Sequence, residues 1–240
     1  MSDNPHQQSV AGEDTPAAIP MEPPASSALS ISFSTAIVLL LFTLIFTALM
    51  ATVYNLTLPD IKRSQEITRL NLIRQVLPSS YYDNDLLADV ISIPAQSELG
   101  TMAPSNIWRA RLQGKPAALV IEATAPDGYS GNIELLLAVS AAGQLMAVRV
   151  TEHRETPGLG DYIDPKKDRN KKSPWIAQFN NLDYQKLPTK NWRLKFDGGK
   201  FDARAGATIS ARAVSNAVAK AYAWVLDNRA NLFSKKEQQP

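Results

Sequence analysis

Between Glu22 and Asp60 the chain carries no charged residue, and Ile31 to Tyr54 inside that gap is almost wholly Ile, Val, Leu, Phe, Ala, Met, Ser and Thr. As a helix this run would be about 36 Å long, enough to cross a hydrocarbon core of about 30 Å. Its Ser and Thr hydroxyls are tolerable there because they can bond back to helix carbonyls. A cleaved signal peptide fits worse. No basic segment precedes the run, the run is too long, and Ala48-Leu49-Met50 lacks the small residue that cleavage wants at its third position. The pattern predicts one retained transmembrane helix over 29–56. Beyond it, Ile61, Ile67, Leu70, Ile73 and Leu77 recur at helical spacing up to Pro78, predicting a membrane-proximal helical segment over 57–116.

From Ala117 the period changes to two. Ala117–Ala123, Ile133–Ser140 and Leu145–Thr151 read as three strands, with Pro126-Asp127-Gly128 as the first turn and Ala142-Gly143-Gln144 as a short hairpin connection. An antiparallel meander is expected. A looser stretch of loops and short helices follows, carrying Trp175, Phe179, Trp192 and a turn at Asp197-Gly198-Gly199. The last element is helical. Ile209, Ala213, Val214, Ala217, Val218, Ala221, Trp224 and Val225 line one face, while Ser210, Arg212, Asn216, Lys220 and Asp227 lie elsewhere. The predicted class is α+β: a single N-terminal transmembrane helix followed by a small antiparallel sheet packed with helices, the domain filling 117–232 and a tail 233–240.

Composition narrows the chemistry. The chain has no cysteine, which removes disulfides, thiolate zinc sites and Cys-ligated iron–sulfur clusters. Its two histidines, His6 and His153, are too few for a His-rich metal site, so any redox group would be organic. Residues 1–28, with Pro5, Pro16, Pro20, Pro23 and Pro24, read as a disordered acidic tail. Residues 1–60 hold five acids and no Lys or Arg, and all 25 basic residues fall beyond them against 18 acids. That basic excess is too mild and too mixed to argue for nucleic acid. Lys62, Arg63, Arg69 and Arg74 follow the apolar run, so the positive-inside rule alone would put the C-terminal domain in the cytoplasm.

Three stretches are candidates for chemistry. Asp202-Ala203-Arg204-Ala205-Gly206-Ala207-Thr208-Ile209-Ser210 leads into the last helix, with Thr208 at the natural N-cap. The plain reading is that its hydroxyl caps first-turn N–H groups. The sharper reading is an anion site, since a helix N-terminus offers free N–H donors and Gly206 lets a phosphate approach the backbone. A phosphate carried on Thr208 would reconcile the two. Glu155-Thr156-Pro157-Gly158-Leu159-Gly160 is either a turn leaving the third strand or a Gly-rich loop passing close to a planar ligand. Gly128-Tyr129-Ser130-Gly131 alone is an ordinary turn. The basic run Lys166, Lys167, Arg169, Lys171 and Lys172 reads as a solvated loop, with a docking patch for an acidic partner as the minor reading, and His153 reads as structural.

Asp202-Ala-Arg-Ala-Gly-Ala-Thr208 resembles the Asp-x-x-(Ser/Thr)-Gly-Ala-Thr signature recognised by flavin transferases, which join FMN through its phosphate to the final Thr. Together with Gly128–Gly131, Glu155–Asp161, Trp175–Phe179, Asp197–Asp202 and Gly206–Val214, in that order, the chain resembles the RnfG (RsxG) family, the G subunits of ion-translocating, ferredoxin- and NAD-linked Rnf electron-transport complexes. The resemblance covers about residues 35–230, leaving the acidic tail outside it. It implies an FMN-binding domain over 117–232 with covalent FMN on Thr208. Gly206, Ala207, Ile209 and Ser210 would flank the attachment point, and Ser130, Glu155, Thr156, Gly158, Leu159 and Gly160 would complete the site. Glu155 could bond the ring or the ribityl hydroxyls, or simply hold the loop by its N–H groups. The sequence departs from the signature at Ala205, where a hydroxyl residue is usual; the acceptor hydroxyl of Thr208 is intact. The resemblance further implies a relay subunit with no small-molecule substrate of its own. It implies a single-pass protein of the bacterial inner membrane with its domain in the periplasm, against the charge rule. Partners would be the other Rnf membrane subunits and, during maturation, a flavin transferase. The alternatives are the C subunit of the sodium-translocating NADH:quinone reductase and a membrane-tethered scaffold in which the Gly-Ala-Thr helix start is only a cap.

Overall fold

The computed structural model describes residues 25–183, 188 and 191–234, and side chains from Ser30 onward. The expected acidic tail up to residue 24, and residues 235–240, lie outside them. The chain divides after Pro59 into two compact units.

The first unit is the apolar part of α1, a helix whose full extent is Ala25–Val76. It starts inside the expected tail, directly after Pro24, because Ala25-Ser-Ser-Ala-Leu29 holds no further breaker. Its apolar side chains from Ile31 to Leu56 are exposed. By length and composition it is able to cross a membrane. The hydroxyls behave as such a helix needs. Thr35 donates to Ile31 O at 2.8 Å, Thr43 to Leu39 O at 2.8 Å and Thr52 to Ala48 O at 2.7 Å.

The second unit is built on one six-stranded antiparallel sheet whose spatial order equals its chain order. The strands are β1 (Val90–Ile93), β2 (Ser105–Leu112), β3 (Lys115–Gly128), β4 (Gly131–Ser140), β5 (Gln144–Glu152) and β6 (Leu182–Asp183). The expected meander is therefore β3–β5. The stretch 57–116 is helical only to Val76, where Pro78 lies just ahead; the rest of it contributes a short 3₁₀ turn, β1 and β2. The first reversal is also shifted. β3 runs through Pro126-Asp127-Gly128 with an irregular register after Ala125, and Tyr129-Ser130 makes the turn between the paired Gly128 and Gly131.

Both faces of the sheet are buried, which is why its strands look almost continuously apolar. Leu119, Ile121 and Ala123 of β3 and Leu135, Leu137 and Val139 of β4 join the core shared with α2 (Thr208–Ser234). Ala118, Val120, Leu136 and Ala138 face a second core closed by Ile73, Val76 and Leu77. Each large aliphatic side chain removed from water in this way contributes about 1.5–3 kcal/mol. Trp175, Phe179, Trp192, Phe201 and Tyr222 form a run of aromatic contacts around α2, with Phe179 and Phe201 centroids 4.3 Å apart and Trp192 and Tyr222 centroids 5.1 Å apart.

The buried face of α2 differs from the expected one at its first turn. Ile209 is 46% exposed, and Ser210, placed off that face by the pattern, is 2% exposed. The reason is polar: Ser210 has a buried carboxylate to bond, described next.

Candidate functional site

Three loops separated in sequence meet at the N-terminus of α2. They enclose a cavity of about 400 Å3 lined by Tyr129 from the β3–β4 turn, by Glu155, Thr156, Leu159 and Gly160 from the loop after β5, and by Gly206, Ala207, Thr208, Ile209 and Ser210. The volume lies in the usual range for a small-molecule site. Two of the predicted site residues do not line it. Gly158 has its N–H turned to Asp161 Oδ1 at 2.9 Å, and Ser130 contributes its N–H to Glu155. Two larger grooves, of about 670 and 570 Å3, lie elsewhere and contain none of the predicted residues.

Glu155 ties the three loops together. Its side chain is buried; Oε1 accepts the Ser130 N–H at 3.1 Å and Oε2 accepts the Ser210 hydroxyl at 2.5 Å. Its own N–H donates to His153 Nδ1 at 3.2 Å, giving that histidine a structural task. Two glycines make room for this carboxylate. A Cβ on Gly160 would lie 2.5 Å from Ser210 Oγ and 2.7 Å from Glu155 Oε2, and one on Gly128 would lie 2.9 Å from Glu155 Oε1. Of the roles open to Glu155, holding the loops by hydrogen bonds is the one its geometry fills.

The approach to α2 is a tight turn. The Ala207 N–H donates to Arg204 O at 3.1 Å, and Gly206 between them has φ +78°, the left-handed conformation a turn of this kind asks of its third residue. α2 begins at Thr208 itself, so the cap position falls on Ala207 rather than Thr208. The Thr208 hydroxyl has no hydrogen-bond partner among the described residues, and Thr208 is half-buried at the cavity wall. Ala205, where the signature usually has a hydroxyl, is exposed on the turn.

Residues not expected in the site hold this turn from behind. The buried Tyr162 donates its hydroxyl to Ala207 O at 2.9 Å and accepts the Arg204 N–H at 3.2 Å. Burial pushes its phenol above the ordinary value, opposed by the Arg204 hydrogen bond and charge. The Arg204 guanidinium lies 4.6 Å from the Tyr162 ring centroid and pairs with the buried Asp168. Asp168 also accepts the Trp175 N–H at 2.7 Å and the Asn170 N–H at 2.9 Å. At the head of the segment, Trp175 Nε1 donates to Asp202 O, and the Asp202 N–H donates to Gln178 Oε1 at 2.7 Å. The basic run thus surrounds a buried aspartate; Lys166, Lys167, Arg169 and Lys172 are exposed, and Lys171 Nζ donates to Lys166 O at 2.6 Å.

A pocket at a helix N-terminus, with glycines at its rim and a free hydroxyl on its wall, is suited to a phosphate-bearing planar ligand. Residues 128–223 match the FMN-binding domain family, and residues 29–76 match the RnfG N-terminal region. The chain is 40% identical over 196 residues to the G subunit of the ion-translocating oxidoreductase complex of Shewanella baltica, an alignment covering 82% of this chain and 90% of that one. It is 39% identical to the corresponding G subunit of Pseudoalteromonas atlantica and 41% to that of Pseudomonas aeruginosa, each over 202 residues and covering 84% of this chain and 92% of the relative. The chain belongs to the family of G subunits of ion-translocating oxidoreductase complexes.

Proposed function

We propose that this chain is a membrane-anchored electron-transfer subunit of an ion-translocating Rnf-type oxidoreductase and carries FMN as a phosphoester on Thr208. The observation that carries the reading is the Thr208 hydroxyl at the start of α2, without a partner among the described residues, on the wall of a cavity of about 400 Å3 inside a domain of the FMN-binding family. When bound, the isoalloxazine supplies one- and two-electron chemistry. The chain's own residues do the rest. The first-turn N–H groups of α2 and its dipole favour a phosphate at Thr208. Gly206 leaves the backbone open beside it. Leu159 and Ile209, 56% and 46% exposed at the cavity, offer apolar contact to a flat ring.

Attachment requires an activated donor, a flavin dinucleotide in which the FMN phosphate is one half of an anhydride. The Thr208 oxygen forms the new bond to phosphorus, the anhydride bond breaks, the nucleotide phosphate leaves with the electron pair, and the hydroxyl proton passes to a base of the flavin transferase. The partners in this reading are that transferase during maturation, the other Rnf membrane subunits, and the bacterial inner membrane through the single span in α1. The domain faces the periplasm in spite of Lys62, Arg63, Arg69 and Arg74, since large domains are translocated with little regard to charge.

The test is expression of the full chain with a flavin transferase, followed by in-gel fluorescence after denaturation and mass mapping. A flavin mass on the peptide containing Thr208, lost in Thr208→Ala, is the expected result. Fluorescence that persists in Thr208→Ala overturns the attachment site, and a colourless wild type favours the scaffold reading. A C-terminal reporter enzyme that works only after export is expected to be active; activity of only a cytoplasmic reporter overturns the orientation.

A further inference from the structure

Four backbone polar groups of the segment that carries Thr208 are taken by side chains from the region 162–178. Tyr162 takes two: its hydroxyl accepts the Arg204 N–H and donates to Ala207 O. These are the outward-facing groups at the two ends of the four-residue turn, whose inward pair is the Ala207 N–H to Arg204 O bond of 3.1 Å. Trp175 and Gln178 take the other two, the carbonyl and the N–H of Asp202. The bonds from Tyr162, Trp175 and Gln178 are all to backbone. The Arg204 side chain turns back to pair with Asp168 and lie over the Tyr162 ring, while Asp202, Ala205 and Gly206 are exposed. Tyr162 is completely buried and Trp175 nearly so, so neither is open to a modifying enzyme.

We propose that Tyr162, with Trp175 and Gln178 behind it, is a positioning residue for covalent flavin attachment: it presets the 204–207 turn so that Thr208 is presented to the transferase in its reactive conformation. This rests on the reading that Thr208 is the attachment site. The physical reason is preorganisation. An unheld turn with a left-handed Gly206 samples other conformations, and the transferase would then bind only the fraction that is correctly shaped, weakening its apparent affinity by that fraction. A preset turn removes that loss. A single hydroxyl is enough for this task, because it holds both ends of the turn at once.

The experiment uses the full chain purified without flavin and incubated with flavin transferase and flavin–adenine dinucleotide, following covalent fluorescence with time. Four proteins are compared: wild type, Tyr162→Phe, Gln178→Ala and Tyr222→Phe. Tyr222→Phe is the matched control, since Tyr222 is also completely buried in the same core and donates its hydroxyl to a backbone carbonyl, Gly143 O, at 2.5 Å, far from the turn. Tyr162→Phe is expected to raise the transferase KM for the protein about tenfold, the worth of roughly one buried hydrogen bond, with kcat little changed. Gln178→Ala is expected to raise it less. Tyr222→Phe is expected to melt earlier yet be flavinylated like wild type. Near-UV circular dichroism reports whether each protein is folded. Gln178 is only half-buried, so Gln178→Ala decides the matter if Tyr162→Phe does not fold. Wild-type kinetics in both turn variants, or an equal slowing in Tyr222→Phe, overturns the proposal while leaving the attachment site standing. An unlabelled wild type, or a labelled Thr208→Ala, overturns the attachment reading instead.

Discussion

One wall of the pocket, residues 155–160, is held by a buried side chain of its own, whereas the other, residues 202–208, is held mainly by side chains of its neighbours, with Arg204 reaching back to Asp168. Glu155 is 4% exposed and gives both carboxylate oxygens to groups on other loops. Segment 202–208 does the reverse. Its backbone is gripped by Tyr162, Trp175 and Gln178, and its Thr208 hydroxyl bonds to nothing among the described residues. The first wall cannot change without stranding the buried Ser210 hydroxyl. The second can take a phosphoester on Thr208 without giving up a hydrogen bond to any described residue. A pocket that must be completed by another enzyme needs one wall of each kind: one to keep its shape, the other to be reached.

The largest effect that tests this contrast lies on the first wall. Glu155→Ala strands the buried Ser210 hydroxyl, at about 1–3 kcal/mol for a buried group left unpaired, and leaves the N–H of the exposed Ser130 to water. Urea unfolding of the unmodified domain is expected to show a loss of about 2–3 kcal/mol. A loss below about 1 kcal/mol would mean that water replaces the carboxylate and that this wall is no more internally held than the other. Next in size is Gly160→Ala. Its Cβ would press on Ser210 Oγ and Glu155 Oε2, so a loss of about 1–3 kcal/mol is expected. Because one of the two clashing atoms belongs to Glu155, the same substitution in a Glu155→Ala background is expected to cost less. Additive losses would break the link between glycine and carboxylate.

These two walls also show how much could be read in advance. The meander was legible because short polar turns separate apolar runs of strand length, whose alternate residues (Leu119 and Ile121, Ala118 and Val120) fill two different cores. β1 and β2 were not. β1 has four residues, and β2 places a charged Arg109 at a position that is 3% exposed. Arg109 is admissible there because Asp89 pairs with it at 2.5 Å and with Arg111 at 2.7 Å, and no hydropathy pattern announces that pair. The candidate site was legible where its residues form one motif, as at 155–160 and 206–210. Tyr129, Tyr162, Asp168 and Gln178 were given no site role: Tyr129 lines the cavity from a turn that looks ordinary, Tyr162 and Gln178 act on backbone groups that only the fold brings near, and Asp168 pairs with the distant Arg204. Ser210 was assigned to the wrong face because a serine signals solvent until a buried carboxylate partner is known.

A smaller effect concerns the support behind the second wall. Burial holds the Tyr162 phenol above its ordinary value, so the folded state keeps its proton more tightly than the unfolded one. The stability this contributes is complete below the unfolded value, near 10, and is lost as pH rises through the folded one. The stability difference between wild type and Tyr162→Phe is therefore expected to be constant from pH 7 to 9 and to shrink above about pH 10. Urea melts of both proteins across that range measure it. A difference that stays constant to pH 11 would mean that the hydroxyl is not shielded, and that the turn is held less firmly from behind than the hydrogen bonds indicate.

The smallest expected effect sits at the centre of the site. If Thr208 capped α2, Thr208→Ala would cost about 0.5–2 kcal/mol. The helix instead begins at Thr208, and the hydroxyl has no partner among the described residues, so nothing in the unmodified protein is lost with it. Alanine is also the better helix former, by a few tenths of a kcal/mol. Thr208→Ala is therefore expected to change the unfolding free energy of the flavin-free protein by no more than about 0.5 kcal/mol, the range of an ordinary surface substitution. The comparison must be made on protein expressed without a flavin transferase, because a flavin attached to Thr208 would make contacts in the folded wild type that the variant lacks. A loss near 2 kcal/mol would show that the hydroxyl caps the helix in solution. The pocket face of the second wall would then depend on a side chain of its own, as the first does, and attachment of a phosphate would have to displace that hydrogen bond rather than modify an unengaged hydroxyl.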